Sequence, residues 1–291
     1  IVMRVLVTGA NGMLGTALHK ELENNKFTIC ATDLNFNEAI KDLDIRDLKE
    51  VLKTLENFKP DIVFHLAAET DVDKCEIEPE HAYLTNTLGT ENVALACQKV
   101  NAVMVYISTA GVFDGNKIEP YTEFDTPNPI NIYGKSKWEG EKIVSSLLSR
   151  YFIFRAGWMI GGGKKDKKFV GKIVNLLKEK DEIPVVNDKI GTPTFTEDMA
   201  KGMLNLIETE RYGLYHMTNK GTCSRYDIAC EIVKIMGKKD VKIKPINSAA
   251  FPLPAPRSRS EAMVNLKLNL LGMNTMRTWQ EALKEYLKGM I

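Results

Sequence analysis

The first half of the chain alternates short runs of β-branched and aromatic residues with longer stretches whose apolar positions recur at helical spacing. This alternation predicts a parallel sheet covered by helices on both faces. The predicted strands are Val2–Thr8, Phe27–Thr32, Asp61–Leu66, Val103–Ser108 and Tyr151–Arg155. The predicted helices between them are Met13–Asn24, Asp47–Glu56, Glu80–Val100 and Tyr133–Ser149. Because crossovers between parallel strands are nearly always right-handed, we expect a doubly wound α/β fold of the Rossmann type.

The alternation becomes irregular after residue 156. The pattern there predicts one strand near Leu214–Thr218 and helices near Phe169–Lys180, Phe195–Glu208, Ser224–Met236 and Trp279–Leu287. Three prolines, Pro252, Pro254 and Pro256, indicate an irregular segment between the last two helices. We therefore predict a dinucleotide-binding domain over residues 1–156. Residues 157–291 are expected to form a smaller, mainly substrate-binding region, with some segments returning to the Rossmann core.

Composition limits the classes of function. A chain of 291 residues with 44% hydrophobic and 26% charged residues is typical of a globular protein with one main domain and a smaller annex. A net charge of +1, with basic residues spread among acidic ones, argues against binding to nucleic acid. No run reaches the length of a membrane span, and the first residues enter a strand without a charged leader. We expect no membrane association and a cytoplasmic location.

Cysteine and histidine positions do not predict a metal site. The five cysteines, an odd number, stand at spacings that match no zinc site: Cys30, Cys75, Cys97, Cys223 and Cys230. Reduced, mostly buried thiols are expected of a cytosolic protein. The four histidines are isolated from carboxylates and cysteines at ligand spacing.

A glycine-rich turn joins the first strand to the first helix. Gly9, Gly12 and Gly15 allow a tight turn, a close approach of the backbone to a pyrophosphate, and donation from the amides of the helix N-terminus. Asn11, Met13 and Leu14 belong to the same turn and are expected to bind the same cofactor. The alternative is a glycine-rich turn without a ligand.

Asp33 ends the second predicted strand, 18 residues after Gly15. A carboxylate at this place accepts hydrogen bonds from the adenosine ribose of a dinucleotide. No Arg or Lys follows it closely, and a carboxylate repels a 2′-phosphate. The sequence therefore favours NAD(H) over NADP(H).

Tyr133 and Lys137 are four residues apart on one predicted helix, and they therefore lie on the same face of it. A buried ammonium beside a phenol favours the phenolate and is expected to lower the tyrosine pKa from its usual value of about 10. Such a tyrosine serves a carbonyl or an alcohol as an acid or base. The same spacing also arises by chance, as a packed ring and a solvated amine.

Several further segments complete a resemblance to the extended short-chain dehydrogenase/reductase family over almost the whole chain. The matching segments are Thr8–Gly15, Ala67–Asp73, Ile107–Thr109, Val112–Gly115, Tyr133–Lys137, Arg155–Trp158 and Gly191–Thr194. The resemblance implies NAD(P)H-dependent reduction of a nucleoside-diphosphate 4-keto-6-deoxy sugar, with a dTDP-linked sugar leading to dTDP-rhamnose as the first expectation. It also implies a homodimer.

The resemblance implies a role for each matching residue. Tyr133 donates a proton to the sugar oxygen, Lys137 binds the nicotinamide ribose and tunes Tyr133, and Thr109 hydrogen-bonds the same oxygen. The cofactor is expected to lie along Leu66, Ala67 and Ala68. The expected substrate-binding residues are Val72, Asn86, Thr109, Trp158, Arg257 and Arg259. Asn86 is equally interpreted as a structural amide, and Trp158 as a core residue.

One departure from the family pattern concerns the two residues after Thr109. The family usually carries Asp and Tyr there, whereas this chain has Ala110 and Gly111. A small residue at this place resembles the nucleotide-sugar epimerases and argues against the dehydratases. Two alternatives therefore stay open, an epimerase and a non-catalytic NADP-binding regulatory subunit. Chain length favours a reductase over an epimerase, and retention of Tyr133 and Lys137 argues against a regulatory subunit.

A basic run follows the three glycines Gly161–Gly163. Its members are Lys164, Lys165, Lys167 and Lys168. Such a run attracts the diphosphate of a nucleotide sugar, or it is a solvated loop.

Overall fold

The order of helices and strands follows the hydrophobic pattern through most of the chain. The computed structural model describes residues 2–163, 166 and 168–290. The strands are β1 (Arg4–Thr8), β2 (Thr28–Asp33), β3 (Lys41–Asp42), β4 (Ile62–His65), β5 (Val103–Thr109), β6 (Tyr151–Ala156), β7 (Trp158–Ile160), β8 (Glu182–Val186), β9 (Ile190–Gly191), β10 (Pro193–Phe195), β11 (Gly213–His216), β12 (Cys223–Ser224), β13 (Lys242–Ile246) and β14 (Ser260–Glu261). The α-helices are α1 (Met13–Asn24), α2 (Leu48–Phe58), α3 (Val72–Ile77), α4 (Pro79–Tyr83), α5 (Gly89–Val100), α6 (Ile132–Leu147), α7 (Phe169–Leu176), α8 (Thr196–Ile207), α9 (Arg225–Ile235), α10 (Leu266–Leu270) and α11 (Trp279–Lys288). A π-helical turn, Leu84–Leu88, joins α4 to α5, and 3₁₀ turns lie at Ala110–Val112 and Ser248–Ala250.

The main sheet is parallel and has the strand order β11-β6-β5-β4-β1-β2-β3. The chain moves outward from β1 to β2 and β3, then returns to the other side of β1 at β4. This reversal creates the crevice at the carboxyl ends of the strands where doubly wound folds bind their ligands. The predicted fold class is confirmed.

Side chains from alternate positions of each strand enter two cores, one on each face of the sheet. Val5 and Val7 of β1 pack on one face with Leu18 of α1 and Met203 of α8. Leu6 points to the other face, with side chains of α2, α5 and α6. Both faces of the sheet are therefore covered, as its continuous apolar strands require.

A third core lies in the C-terminal region. It brings together α7, α9 and α11 with the paired strands β8 and β13, and Ile232 and Leu283 are fully buried within it. Helix α8 and strand β11 instead join the main sheet and its core. The division near residue 156 stays a prediction. Lys164, Lys165 and Lys167 of the basic run lie outside the described residues.

Two further properties concern the described part of the chain. No helix in it is both long enough and apolar enough to cross a membrane. The five cysteines are free thiols, and burial raises the pKa of Cys223 to about 12.

A buried ion pair attaches α6 to the main sheet. Arg155 of β6 donates from Nε to Glu141 Oε1 at 2.8 Å and from Nη2 to Glu141 Oε2 at 2.6 Å. The two side chains are 4% and 5% exposed. Because α6 also carries Tyr133 and Lys137, this pair fixes the helix that holds the candidate catalytic residues.

We predict that Glu141→Gln lowers the free energy of unfolding by about 3–5 kcal/mol, because it leaves the Arg155 guanidinium buried without a countercharge. Urea unfolding measures the change. Glu139→Gln is the matched control, since Glu139 pairs with Lys142 on the same helix but both side chains are exposed, and its effect is expected to stay within about 1 kcal/mol. Equal effects of the two substitutions would contradict the structural role of the buried pair.

Candidate active site

A cleft of about 1120 Å³ opens at the carboxyl ends of the main strands. One part of its wall consists of the glycine-rich turn and the ends of β2, β4 and β5. The opposite part consists of C-terminal residues, including Trp158, Lys189, Arg225 and the segment Phe251–Pro256. The predicted catalytic residues lie between these two parts.

The glycine-rich turn is closely packed against its own backbone and against β4. A Cβ atom on Gly9, whose φ is +69°, would lie 2.7 Å from the Ala67 nitrogen, and one on Gly15 would lie 2.5 Å from the Gly9 oxygen. These contacts are with backbone, which has little freedom to move. Gly9 and Gly15 are therefore required by the geometry of the turn.

The N-terminus of α1 faces the cleft with unpaired amides. Gly12 is the N-cap and provides no side-chain cap, and the first turn contains no acidic residue. The first amides of a helix lack intrahelical acceptors, and the helix dipole adds positive charge there. Gly12, Met13 and Leu14 line the cleft at this point, and such a site suits the pyrophosphate of a dinucleotide.

Asp33 lies at the end of β2, beside this turn. Its carboxylate accepts hydrogen bonds from the amides of Asn11 (3.0 Å) and Asn35 (2.9 Å), and it lines the cleft. The Asn11 side chain also donates to the Asn35 carbonyl. Arg46, the nearby cation in the cleft wall, is already paired with Asp44. The carboxylate is placed where a dinucleotide presents its adenosine ribose.

The remaining predicted cofactor residues also line the cleft, at the end of β4. These are Leu66, Ala67 and Ala68. The Ala67 amide donates to Thr8 Oγ1 at 3.2 Å, which fixes this strand end against β1. Small side chains at positions 67 and 68 leave the strand end accessible to a ligand.

Tyr133 and Lys137 lie on the first turns of α6, and both line the cleft. The helix begins at the N-cap Asn131, whose Oδ1 accepts from the Gly134 amide at 2.8 Å. A Cβ on Gly134 would lie 2.1 Å from the Gly111 oxygen. The absence of a side chain at Gly134 therefore lets α6 approach the turn that follows Thr109.

The pKa values of Tyr133 and Lys137 differ from what the sequence led us to expect. Burial raises the pKa of Tyr133 to about 12, and the hydrogen bond with Thr109 only partly opposes this shift. Burial also lowers the pKa of Lys137 to about 7, against the attraction of Glu141. The expectation that Lys137 moves the Tyr133 pKa toward neutrality was wrong for the protein alone, because desolvation exceeds the effect of charge. Tyr133 is therefore a protonated phenol at neutral pH.

Thr109 lies at the end of β5, close to Tyr133. Its Oγ1 accepts a hydrogen bond from the Gly111 amide at 3.0 Å. A hydroxyl that accepts in this way keeps its own proton available for donation. A Cβ on Gly111 would lie 3.3 Å from Thr109 Oγ1 and 3.7 Å from Tyr133 Cδ1, so this glycine lies between the two catalytic candidates.

Lys137 is held by an aromatic face that the sequence did not indicate. Its Nζ lies 4.2 Å from the centroid of Tyr106, and the Tyr106 hydroxyl donates to the Lys137 carbonyl at 3.1 Å. The Tyr106 ring stacks in turn on His65, which is hydrogen-bonded between Thr8 and Thr90. The side chain of Lys137 is 4% exposed, and within the described residues its ammonium donates no hydrogen bond. The ammonium remains available to a ligand.

Two hydroxyls in the cleft wall are also without partners. Thr85 Oγ1 and Ser108 Oγ are buried, and neither makes a hydrogen bond within the described part of the chain. Buried polar groups without partners are uncommon. Sequence reasoning gave neither hydroxyl a role in the site, because a lone Ser or Thr carries no local signal.

Of the six predicted substrate-binding residues, four line the cleft and two do not. Val72, Thr109, Trp158 and Arg257 line the cleft. Asn86 and Arg259 do not line it. Asn86 is fully buried and bonds the backbone of Glu69 and the hydroxyl of Ser136, as a structural amide does. Arg259 is exposed.

A family model described as the RmlD substrate binding domain matches residues 3–291. The chain belongs to this family. It is 35% identical to the spore coat polysaccharide biosynthesis protein SpsK of Bacillus subtilis, over 98% of this chain and 97% of that protein. The crystal structure of a dTDP-4-dehydrorhamnose reductase from Clostridium acetobutylicum shares its fold with a TM-score of 0.92 and 42% identity, covering 98% of this chain and 99% of that one. A dTDP-4-dehydrorhamnose reductase from Bacillus anthracis in complex with NADP gives the same TM-score at 38% identity, covering 99% of both chains.

The π-helical turn is the main local departure of this RmlD-family chain from its predicted elements. The sequence predicts one continuous helix over Glu80–Val100, whereas the turn Leu84–Leu88 adds a residue within it. The turn directs Thr85 to the cleft and Asn86 to Glu69 and Ser136. Such turns occur often at functional sites.

Residues 2–163, 166 and 168–290 contain no group of three or more His, Cys, Asp or Glu that could hold a metal ion. Carboxylates such as Asp33 and Glu261 do line the cleft, but within the described residues they form no such group.

We predict that Lys137→Met stabilises the ligand-free protein more at about pH 6 than at about pH 9. The folded-state pKa of Lys137 is about 7, below its usual value of 10.5. The cost of burying the ammonium is therefore fully present below pH 7 and is lost as pH rises from 7 toward 10.5. Thermal unfolding of wild type and variant at both pH values measures the difference. A stabilisation that grows with pH would contradict the lowered pKa.

Proposed function

We propose that the protein reduces a nucleoside-diphosphate 4-keto-6-deoxy sugar with NADH or NADPH, and that the substrate is dTDP-4-dehydrorhamnose and the product dTDP-rhamnose. The observation that carries the proposal is the position of Tyr133, Lys137 and Thr109 in one cleft with the glycine-rich turn. Relatives more than 30% identical over nearly the whole chain carry the name dTDP-4-dehydrorhamnose reductase. A solved relative that is 38% identical to this chain is named in complex with NADP, which supports a nicotinamide cofactor.

The residues of the chain supply binding and a proton. A bound nicotinamide cofactor supplies the hydride. Tyr133, protonated at neutral pH, donates its phenolic proton to the oxygen at C4 of the sugar. Thr109 donates a second hydrogen bond to the same oxygen, and both donors are fixed before the substrate arrives.

The proposed cofactor-binding residues form a continuous path along the cleft. They are Gly9, Asn11, Gly12, Met13, Leu14, Gly15, Asp33, Leu66, Ala67, Ala68, Tyr133 and Lys137. The amides at the N-terminus of α1 would hold the pyrophosphate of the cofactor, and the ammonium of Lys137 would bind the hydroxyls of the nicotinamide ribose. Lys137 would thereby gain hydrogen-bond acceptors that the described part of the protein does not give it.

The substrate is proposed to lie against the C-terminal wall of the cleft, which carries an excess of basic side chains. Lys168, Lys189, Arg225 and Arg257 line this wall. Their charge suits the diphosphate of a nucleotide sugar. Val72, Thr109 and Trp158 complete this part of the wall. A homodimer stays a prediction from the family resemblance, and a cytoplasmic location stays a prediction from the composition of the chain.

Two other functions share part of this geometry. An epimerase uses the same tyrosine and lysine but retains its cofactor through each cycle, and a regulatory subunit binds the cofactor without turnover. The names of the relatives support the reductase. Net oxidation of NADH or NADPH on addition of dTDP-4-dehydrorhamnose distinguishes the three, because only the reductase consumes the reduced cofactor.

We predict that Tyr133→Phe lowers kcat by about 10²–10⁴-fold, because it removes the proton donor and leaves the ring in place. Steady-state oxidation of NADPH measures the loss. Tyr83→Phe, in a tyrosine outside the cleft, is the matched control and is expected to retain wild-type turnover. Near-normal turnover of the Tyr133 variant, with wild-type thermal stability, would remove the proposed mechanism.

We predict that Asp33→Asn lowers the ratio of kcat/KM with NADH to kcat/KM with NADPH by about tenfold, because it removes the negative charge that repels a 2′-phosphate. The wild type is expected to prefer NADH or to use both cofactors equally. Parallel kinetics with the two cofactors measure the ratio. A tenfold preference of the wild type for NADPH would overturn the assignment of Asp33.

A further inference from the structure

Arg225 presents a guanidinium to the cleft that the sequence did not single out. It is the first residue of α9, and its Cζ lies 4.0 Å from the centroid of Trp158 and 5.0 Å from that of Phe169. A guanidinium has five N–H donors. Within the described residues, those of Arg225 make no hydrogen bond, although the side chain lines the cleft.

Trp158 supports this guanidinium and is itself fixed. A Cβ on Gly191 would lie 2.5 Å from both Cε2 and Cζ2 of the indole, so the Gly191 backbone packs directly on the ring. The indole Nε1 donates to Glu261 Oε2 at 2.7 Å. The fixed indole ring therefore supports the guanidinium of Arg225, which stacks on it. Of the two side chains, Arg225 is the one with hydrogen-bond donors left for a ligand.

Arg257, one of the two arginines expected from the resemblance to bind substrate, is already engaged. Its Nη2 lies 3.0 Å from Asp73 Oδ1, and its Nη1 donates to the Ala255 carbonyl at 2.8 Å. This side chain joins the proline-rich segment to α3. Its charge is largely compensated, whereas that of Arg225 has no hydrogen-bonded carboxylate among the described residues.

A second cation lies at the same end of a small sheet. Strands β9 and β12 pair antiparallel with Ile190 opposite Ser224, so Lys189 and Arg225 are neighbours across the two strands. Lys189 donates to the Arg257 carbonyl at 2.8 Å. Burial lowers the pKa of Arg225 to about 10, while Glu261 opposes the shift, so the guanidinium stays charged at neutral pH.

We propose that Arg225 binds the diphosphate of the nucleotide sugar and that Arg257 positions the proline-rich segment instead. The inference rests on the proposed nucleotide-sugar substrate. A planar guanidinium matches two phosphate oxygens at once. Stacking on Trp158 and Phe169 orients Arg225 before the ligand binds, which reduces the entropy lost on binding.

The test compares dTDP with thymidine, which has the base and sugar but no phosphate. Isothermal titration gives the dissociation constant for dTDP, and ligand-observed NMR gives that for thymidine. Arg225→Gln is expected to weaken dTDP binding at least about tenfold and to leave thymidine binding unchanged. Arg225→Lys is expected to recover only part of the loss, because an ammonium keeps the charge but not the planar fork. Arg211→Gln, in an exposed arginine outside the cleft, removes the same charge and is expected to change neither.

The possible outcomes separate the inference from the proposed function. If Arg225→Gln weakened the binding of dTDP and of thymidine equally, Arg225 would contact the nucleoside and not the diphosphate, and the inference would be overturned. Unchanged dTDP binding in Arg225→Gln, with tight binding by the wild type, would overturn the inference alone. Failure of the wild type to bind dTDP would overturn the proposed function as well. Binding of NADH by Arg225→Gln, followed by fluorescence, verifies that the variant is folded.

Discussion

The burial of Lys137 is the constraint on which the rest of the site depends. An ammonium that is 4% exposed is costly to desolvate, and its lowered pKa reflects that cost. The protein offsets the cost with the face of Tyr106 and with the nearby carboxylate of Glu141. Arg155 neutralises Glu141 in turn and attaches it to β6. The Glu141 carboxylate thus has two effects. It attaches α6 to β6 through Arg155, and it lowers the cost of burying the Lys137 ammonium.

The cleft contains two regions that are proposed to bind anions, and the positive charge of each has a different physical origin. At the glycine-rich turn the attraction comes from unpaired backbone amides and the dipole of α1, in a segment without basic side chains. At the C-terminal wall it comes from Lys189 and Arg225. A dinucleotide and a nucleotide sugar each carry a diphosphate, so the two regions suit two ligands bound end to end. Tyr133 and Thr109 lie between the regions, where the reacting ends of both ligands would meet.

Sequence reasoning predicted the main elements and the first of these regions, because both follow from local patterns. The inner strands of the main sheet, such as β1 and β4, are apolar runs, and the glycines of the first turn occur at fixed spacing. The pKa of Tyr133 was not predictable, because it depends on burial by segments distant in the chain. Arg225 was also missed, since its importance comes from Trp158, 67 residues earlier. Asn86 and Arg259 were expected in the cleft because of the family resemblance. A resemblance matches positions along the chain, and it does not show which hydrogen bonds a side chain makes.

The two small residues after Thr109 change how the substrate is recognised. Gly111 lies between Thr109 and Tyr133, and the approach of Gly134 to its carbonyl leaves its backbone little room to shift. Any side chain at position 111 would have to project past the two proton donors. Without one, this side of the cleft presents the proposed proton donors Thr109 and Tyr133, and positions 110 and 111 add no polar side chain. If the proposed function holds, selection among nucleotide sugars falls to the opposite wall, where Arg225 is stacked on Trp158 and Glu261 fixes the indole.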